Sequence, residues 1–259
     1  RAIVHECLQS RQPAAVAPKA IIAPHAGYEY SGAVAGSAYA LVERGRGTIT
    51  RVVLTGPSHR VRFRGLALSG ATHFSTPLGE ISVDQNAAGS VRSLPQVTVL
   101  DAAHAREHSL EVHLPFLQVA LGHFTLVPLV VGEASADDVA QVFERLWDGS
   151  ETLFGVSSDL SHYHDDATAR RMDAATSAAI EALRGEDISE GDACGRVPIA
   201  GLLMAARRHG LSARTLDVRN SGETGGPRDQ VVGYGAYAFG PAVRDLHKET
   251  GARGAIESP

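Results

Sequence analysis

Apolar and polar positions along this chain alternate between two periods. Short apolar runs at Ala20–Ala23, Arg51–Thr55, Phe124–Val131 and Leu153–Val156 have the length of buried strands, and each is closed by Gly, Pro or Ser. Between them, apolar residues recur at helical spacing. Helices are predicted from about Ala33 to Glu43, from Ser109 to Leu121, from a Ser135 cap through Leu146, from Asp166 to Leu183, and from Pro198 to near Gly210. Pro115 either kinks the second of these or marks its first turn. In the third, Val139, Val142, Phe143 and Leu146 share a face; in the fourth, Met172, Ala175, Ala179 and Leu183 point inward.

Leu66–Ser69 and Glu80–Val83 read as a hairpin pair joined through Pro77 and Gly79, with further strands at Val97–Leu100, Thr215–Arg219 and Val231–Phe239. His25–Gly32 and Gly222–Pro227 read as loops. Alternating strands and helices predict an α/β fold with a mostly parallel central sheet flanked by helices. No repeat or linker divides it, so residues 1–259 are expected to form one domain, with a core over about 20–240 and a tail over 241–259.

Composition narrows the function classes. A net charge of −5 and a pI near 6.2, with no Lys/Arg cluster, argue against nucleic acid as a partner. No apolar stretch has the length of a bilayer span and no signal-peptide pattern is visible, so no membrane association is expected. The only cysteines, Cys7 and Cys194, make no disulfide framework, which points to the cytoplasm.

Three of the apolar runs lead into a histidine: Ala23-Pro24-His25, Gly56-Pro57-Ser58-His59, and Ser157-Ser158-Asp159-Leu160-Ser161-His162. Open α/β sheets bind ligands beyond the carboxyl ends of their strands. Taken singly, each histidine also fits a loop residue capping backbone groups; together they suggest imidazoles gathered around a metal or a substrate. His25 and His59 are the strongest pair. His162 suits either ligation or acid–base work, with Asp159 able to orient a histidine.

Cys194 lies just before a predicted helix and beside Arg196, a setting that lowers a thiol pKa and favours metal binding or nucleophilic attack. The competing reading is an inert buried cysteine. Glu107-His108-Ser109-Leu110-Glu111-Val112-His113 superficially resembles a zinc-protease helix, but its histidines are five apart rather than four and fall on different faces. Glu107 and Glu111 are expected to line a pocket, with His108 beside them. No nucleophile elbow, phosphate loop or dinucleotide fingerprint is present.

Ala23-Pro24-His25-Ala26-Gly27-Tyr28, Gly56-Pro57-Ser58-His59, Glu107-His108-Ser109-Leu110-Glu111, Ser157-Ser158-Asp159-Leu160-Ser161-His162 and Cys194-Gly195-Arg196-Val197-Pro198-Ile199 together resemble the Memo-like family, whose bacterial and archaeal members are labelled AmmeMemoRadiSam system protein B. The resemblance spans about residues 20–240 and extends to Val231-Val232-Gly233-Tyr234-Gly235. It implies a fold similar to the class III extradiol dioxygenases, which are non-haem iron enzymes. It also implies a metal held by His25, His59 and Cys194, a catalytic histidine at His162 beside Asp159, and a pocket tyrosine at Tyr30. Tyr30, Glu107, His108 and Glu111 are then the expected substrate contacts.

The dioxygenases use a carboxylate as third ligand where this chain offers a thiol, which shifts preference toward Cu(I), zinc or a redox-active iron. Three readings follow. The first is a redox or dioxygenase-type enzyme with one transition metal ion, Fe(II) ahead of copper or zinc. The second is a non-catalytic protein binding a small molecule or peptide in the same pocket, with AmmeMemoRadiSam system proteins as partners. The third is a zinc-dependent hydrolase.

Overall fold

The computed structural model describes residues 1–8 and 16–241. In chain order the first half comprises α1 (Ala2–Cys7), β1 (Ala20–Ala23), α2 (Tyr28–Val42), β2 (Arg51–Pro57), β3 (Leu66–Leu68), β4 (His73–Thr76), β5 (Gly79–Ser82), α3 (Gln85–Arg92), β6 (Val97–Val99), α4 (Asp101–His104) and α5 (Leu114–Leu121). The second half comprises β7 (Thr125–Val131), α6 (Ala136–Arg145), β8 (Thr152–Ser157), β9 (His162–His164), α7 (Asp166–Glu181), α8 (Arg196–Arg208), β10 (Leu211–Asn220), α9 (Ser221–Thr224) and β11 (Val231–Pro241).

The main sheet has the order β10-β11-β1-β8-β2-β7-β3-β6, with β9 added to β11. Its centre, β1-β8-β2-β7, is parallel throughout, and antiparallel pairs lie outside it. Alternate residues of these strands feed two separate cores. Ile22, Val53, Phe154 and Val127 pack under α6 and α8 on one face, while Ile21, Leu54, Leu153 and Leu126 pack under α2 and α5 on the other. Burial on both faces is why these strands read as unbroken apolar runs rather than as alternating ones.

The register sets the carboxyl ends of the histidine strands level. Ala23 pairs with Ser157, and Thr55 with Val156. The residues just past β1, β2 and β8 therefore emerge along one edge of the sheet.

Several elements differ from the sequence expectation. Helix α2 begins at Tyr28, inside the stretch read as a loop. Its glycines serve packing instead of turning: a Cβ on Gly32 would lie 2.9 Å from Cys7 Sγ, because α1 sits directly on α2. Leu66–Leu68 does not pair with the strand after Gly79. It joins the main sheet between β7 and β6, and the hairpin is β4–β5.

The helix expected from Ser109 begins as a single 3-10 turn over Glu111–His113, with Pro115 in the first turn of the α-helix proper. Helix α7 turns Ala169, Asp173, Thr176, Ser177, Ala179 and Ile180 inward, Ala179 as expected, and leaves Ala175 exposed, so its buried face is more polar than the apolar spacing indicated. Gly222–Pro227 opens on α9, capped by Asn220. The predicted tail beyond Pro241 lies outside the described residues.

Helix α3 was not foreseen, and Asp84 explains it. Its carboxylate accepts from the Ala87 N–H at 2.9 Å as N-cap and from Arg51 Nε at 2.8 Å, tying the helix to β2. Asp84→Ala is expected to cost about 2 kcal/mol in chemical denaturation, roughly half from the cap and half from the charged hydrogen bond. Asp84→Asn keeps the cap and should recover about half of that loss.

Candidate metal centre

His25 follows β1 and is buried; its backbone N–H donates to Asp159 Oδ1 at 2.8 Å. One side of its ring is occupied, since Nδ1 lies 2.6 Å from Ser157 Oγ. The other side faces Cys194, with Nε2 3.5 Å from Sγ. His59 follows β2. Its ring lies 5.2 Å from that of His25, centroid to centroid, and Nδ1 donates to Glu107 Oε1 at 2.9 Å. A carboxylate only accepts, so Nδ1 carries a proton and Nε2 is the ring nitrogen turned away from Glu107 and left to meet a metal.

Cys194 arrives from the loop before α8, far away in sequence. Gly195 makes that approach possible: a Cβ there would lie 2.6 Å from Ser158 Cβ and 2.7 Å from the Ser157 carbonyl. The Gly195 N–H donates to Ser158 Oγ at 2.8 Å, and the Asp159 N–H donates to Cys194 Sγ at 3.3 Å. Strand β8 thus anchors both His25 and the cysteine loop.

One ring nitrogen each of His25 and His59 and the Cys194 sulfur lie within 4.8 Å of one another. Tetrahedral bonds to nitrogen and sulfur place ligand atoms roughly 3.5 Å apart, so the His25–Cys194 spacing suits a shared metal ion. Two imidazoles and one thiol form a soft set appropriate to a transition metal and poor for Ca2+ or Mg2+. The residues present fit the group.

A second cluster, His59, Glu107 and His108, is also close enough to hold an ion. Its carboxylate is already committed. Glu107 Oε1 accepts from His59 Nδ1, the His108 N–H and the Ser109 N–H, while Oε2 accepts the His59 N–H at 2.6 Å. Burial raises the Glu107 pKa, but these hydrogen bonds outweigh it and hold it at about 2. Glu107 is a buried anion supporting His59 from behind, and it also lines a small cavity together with Glu111.

The protonation states differ from the sequence expectation at Cys194. Burial, followed by the negative charge of Asp159, pushes its thiol up to about 12 despite the neighbouring helix start. The expected lowering fails because the sulfur is enclosed beside a carboxylate, and the hydrogen bonds it receives are too weak to compensate. Burial, then the charges of His59 and His108, push His25 down to about 3, so its ring is neutral at pH 7. Asp159 is raised by burial, only partly offset by the His25 amide, the charge of His162 and the Ala26 amide.

His162 lies beside this cluster, since its charge acts on both His25 and Asp159. No hydrogen bond to its ring is found among the described residues. The Asp159 carboxylate, which interacts electrostatically with His162, accepts from the His25 backbone and lies 3.9 Å from His25 Nε2. His108 completes the rim, its half-exposed ring 5.3 Å from His25 and 5.0 Å from His59.

Tyr30 is partly exposed in the first turn of α2 and acts electrostatically on Tyr234, as do Tyr163 and Asp159. Tyr163, unmarked by the sequence, is 71 % exposed beside His162 and holds φ at +61°. Glu111 is not brought to the cluster. It lines a small cavity with Phe74, His104 and Glu107. A larger cavity of about 370 Å3 reaches Cys194 and is walled by Ser58, Arg62, Phe63, Glu133 and Val197.

Among the described residues no helix is long and apolar enough to cross a membrane. The family model for Memo-like proteins matches residues 1–238. A MEMO1 family protein of Aeropyrum pernix is 37 % identical over 238 residues, covering 87 % of this chain and 82 % of its own length. Another, from Aquifex aeolicus, is 33 % identical and covers 86 % of both chains. A third, from Archaeoglobus fulgidus, is 32 % identical, covering 85 % of this chain and 86 % of its own. With matches of this extent, the chain belongs to the Memo-like family.

Proposed function

We propose that this chain is a metal-dependent enzyme of redox or dioxygenase type, in which His25, His59 and Cys194 hold a transition metal ion and His162 transfers protons. The carrying observation is the convergence of these three side chains at one sheet edge, beside an imidazole whose ring makes no hydrogen bond among the described residues. An ion such as Fe(II) in that donor set supplies one-electron chemistry and open coordination positions.

The protein's own groups do the rest. Nε2 of His59 is kept available because Glu107 takes the proton side of the ring. His162 accepts or returns a proton at a ring nitrogen, and Asp159, with its pKa raised by burial, offers a second proton carrier next to it. The cavity beside Cys194 falls in the size range for small ligands, and Arg62, Phe63 and Glu133 in its wall offer a cation, an aromatic face and a carboxylate to one.

Anaerobic reconstitution with ferrous iron, followed by oxygen-uptake assays on catechol-like substrates, tests this reading. His162→Ala should keep the metal and lose about 100- to 10,000-fold in turnover. Metal-loaded protein that consumes no oxygen with any of a broad substrate set points instead to a binding protein, or to a zinc hydrolase if ester or amide cleavage is found.

A further inference from the structure

Ser157 ends β8 and is fully buried. Its hydroxyl oxygen has three polar neighbours from different parts of the chain: the Ser109 carbonyl, His25 Nδ1 at 2.6 Å and His113 Nε2 at 2.9 Å. A hydroxyl carries one proton and two acceptor sites. The carbonyl can only accept, so the serine proton goes to Ser109 and both imidazoles donate into Ser157 Oγ. His25 is thereby fixed with its proton on Nδ1.

The direction of the chain is continued on the far side. His113, having its proton on Nε2, must accept at Nδ1, and Tyr39 Oη lies 2.8 Å away. Tyr39 is 1 % exposed, and burial raises its pKa well above the ordinary value, so it is a neutral donor. It is held by stacking on Phe116, with centroids 4.9 Å apart. Each donor from Tyr39 through His113 and Ser157 to Ser109 has one acceptor, and reversing any link leaves a buried polar atom without a partner.

We propose that Ser157, oriented by His113 and Tyr39, is a positioning residue that locks His25 in the Nδ1–H tautomer and leaves its Nε2 lone pair facing Cys194. The inference rests on the metal-centre reading for its purpose but not for its geometry. Glu107 does the same for His59 with a carboxylate. The two ligand histidines are therefore set by two different devices: a charged one on the half-exposed ring and a neutral one on the buried ring, where a second buried anion beside Asp159 would be costly.

Imidazole 15N NMR on the metal-free chain reads the tautomer directly, and Zn(II) or Co(II) titration reads its consequence. The unaltered chain should show His25 protonated on Nδ1. Ser157→Ala should give a mixture of His25 tautomers and weaken metal binding by about 10- to 100-fold, the usual effect of losing an outer partner. His113→Leu should act in the same direction. His113→Gln places an amide N–H where Nε2 stood and should restore most of the affinity, which a merely space-filling role at this position would not require.

His25 protonated on Nε2 in the unaltered chain overturns the proposal. So does metal affinity unchanged in both Ser157→Ala and His113→Leu when the unaltered chain binds metal. A locked Nδ1–H tautomer in a chain that takes up no Zn(II) or Co(II) supports the lock and removes the metal-centre reading.

Discussion

Cys194→Ala is expected to bind Co(II) or Zn(II) more than about a hundredfold more weakly than the unaltered chain, beyond the range for outer partners, and His59→Ala should behave alike. Among the described residues, His25, His59 and Cys194 bring their ligating atoms together without a carboxylate already committed elsewhere. Removing any of them leaves two ligands, and the Glu107 carboxylate cannot substitute because it is occupied by His59 and three backbone amides. The Cys194 thiol is held neutral in the metal-free protein, so uptake displaces a proton and should give the absorption of a sulfur-ligated Co(II) ion. That band should vanish in Cys194→Ala.

The order of effects is the sharper part of this prediction. Glu107→Gln keeps an oxygen for His59 Nδ1 but loses the charge, and should cost about 10- to 100-fold. His162→Ala should leave metal affinity where it was. If His162→Ala weakens binding as much as Cys194→Ala does, the ligand set has been drawn wrongly. Melting of each metal-free variant separates lost ligation from lost folding, since a ligand deletion that leaves the melting temperature intact acts only at the site.

Much of this arrangement was legible because it follows from local chemistry. The strands β1, β2 and β8 announce themselves as short apolar runs stopped by Pro, Gly or Ser, and a parallel sheet brings their ends together. What stayed hidden depends on distant partners. His113 sits at helical spacing among Leu110, Leu114 and Leu117, where a polar residue looks like an imperfection in a core stripe. Tyr39 looks like packing material in α2, and Ser157 like a strand terminator.

Their hydrogen bonds span sequence separations of 44, 74 and 132 residues, which no local pattern encodes. The signal that existed was the polarity itself: a histidine inside an apolar stripe needs a partner. The strand pairing of Leu66–Leu68 was misread for the converse reason. A nearby strand with a turn between is the locally obvious mate, yet β3 buries all three residues by crossing to β7. Cys194 shows the same limit in electrostatics, because the burial and the Asp159 charge that raise its pKa both come from remote parts of the chain.

Acid should unfold the metal-free protein through its buried neutral histidines, and His113 gives the cleanest measurement. Burial, followed by the charge of His25, pushes His113 down to about 3. In the unfolded chain its ring takes up a proton near pH 6.5. Between those values the unfolded state binds more protons, so stability is complete above about pH 6.5 and falls as pH drops. From pH 7 to 5 this one ring contributes a loss of about 2 kcal/mol. The groups facing it are Tyr39, neutral over that range, and His25, itself pushed down to about 3. Asp159 works the other way, because a raised carboxyl pKa favours the folded state on acidification. That contribution is common to both proteins and cancels when a variant is compared with the unaltered chain. His113→Leu should be less stable at pH 7 by about 1–3 kcal/mol, since Tyr39 and Ser157 lose a partner. Its further loss between pH 7 and 5 should nevertheless be about 2 kcal/mol smaller than that of the unaltered chain. Urea denaturation at the two pH values measures both quantities, and parallel losses in the two proteins would mean that His113 is already charged in the folded state.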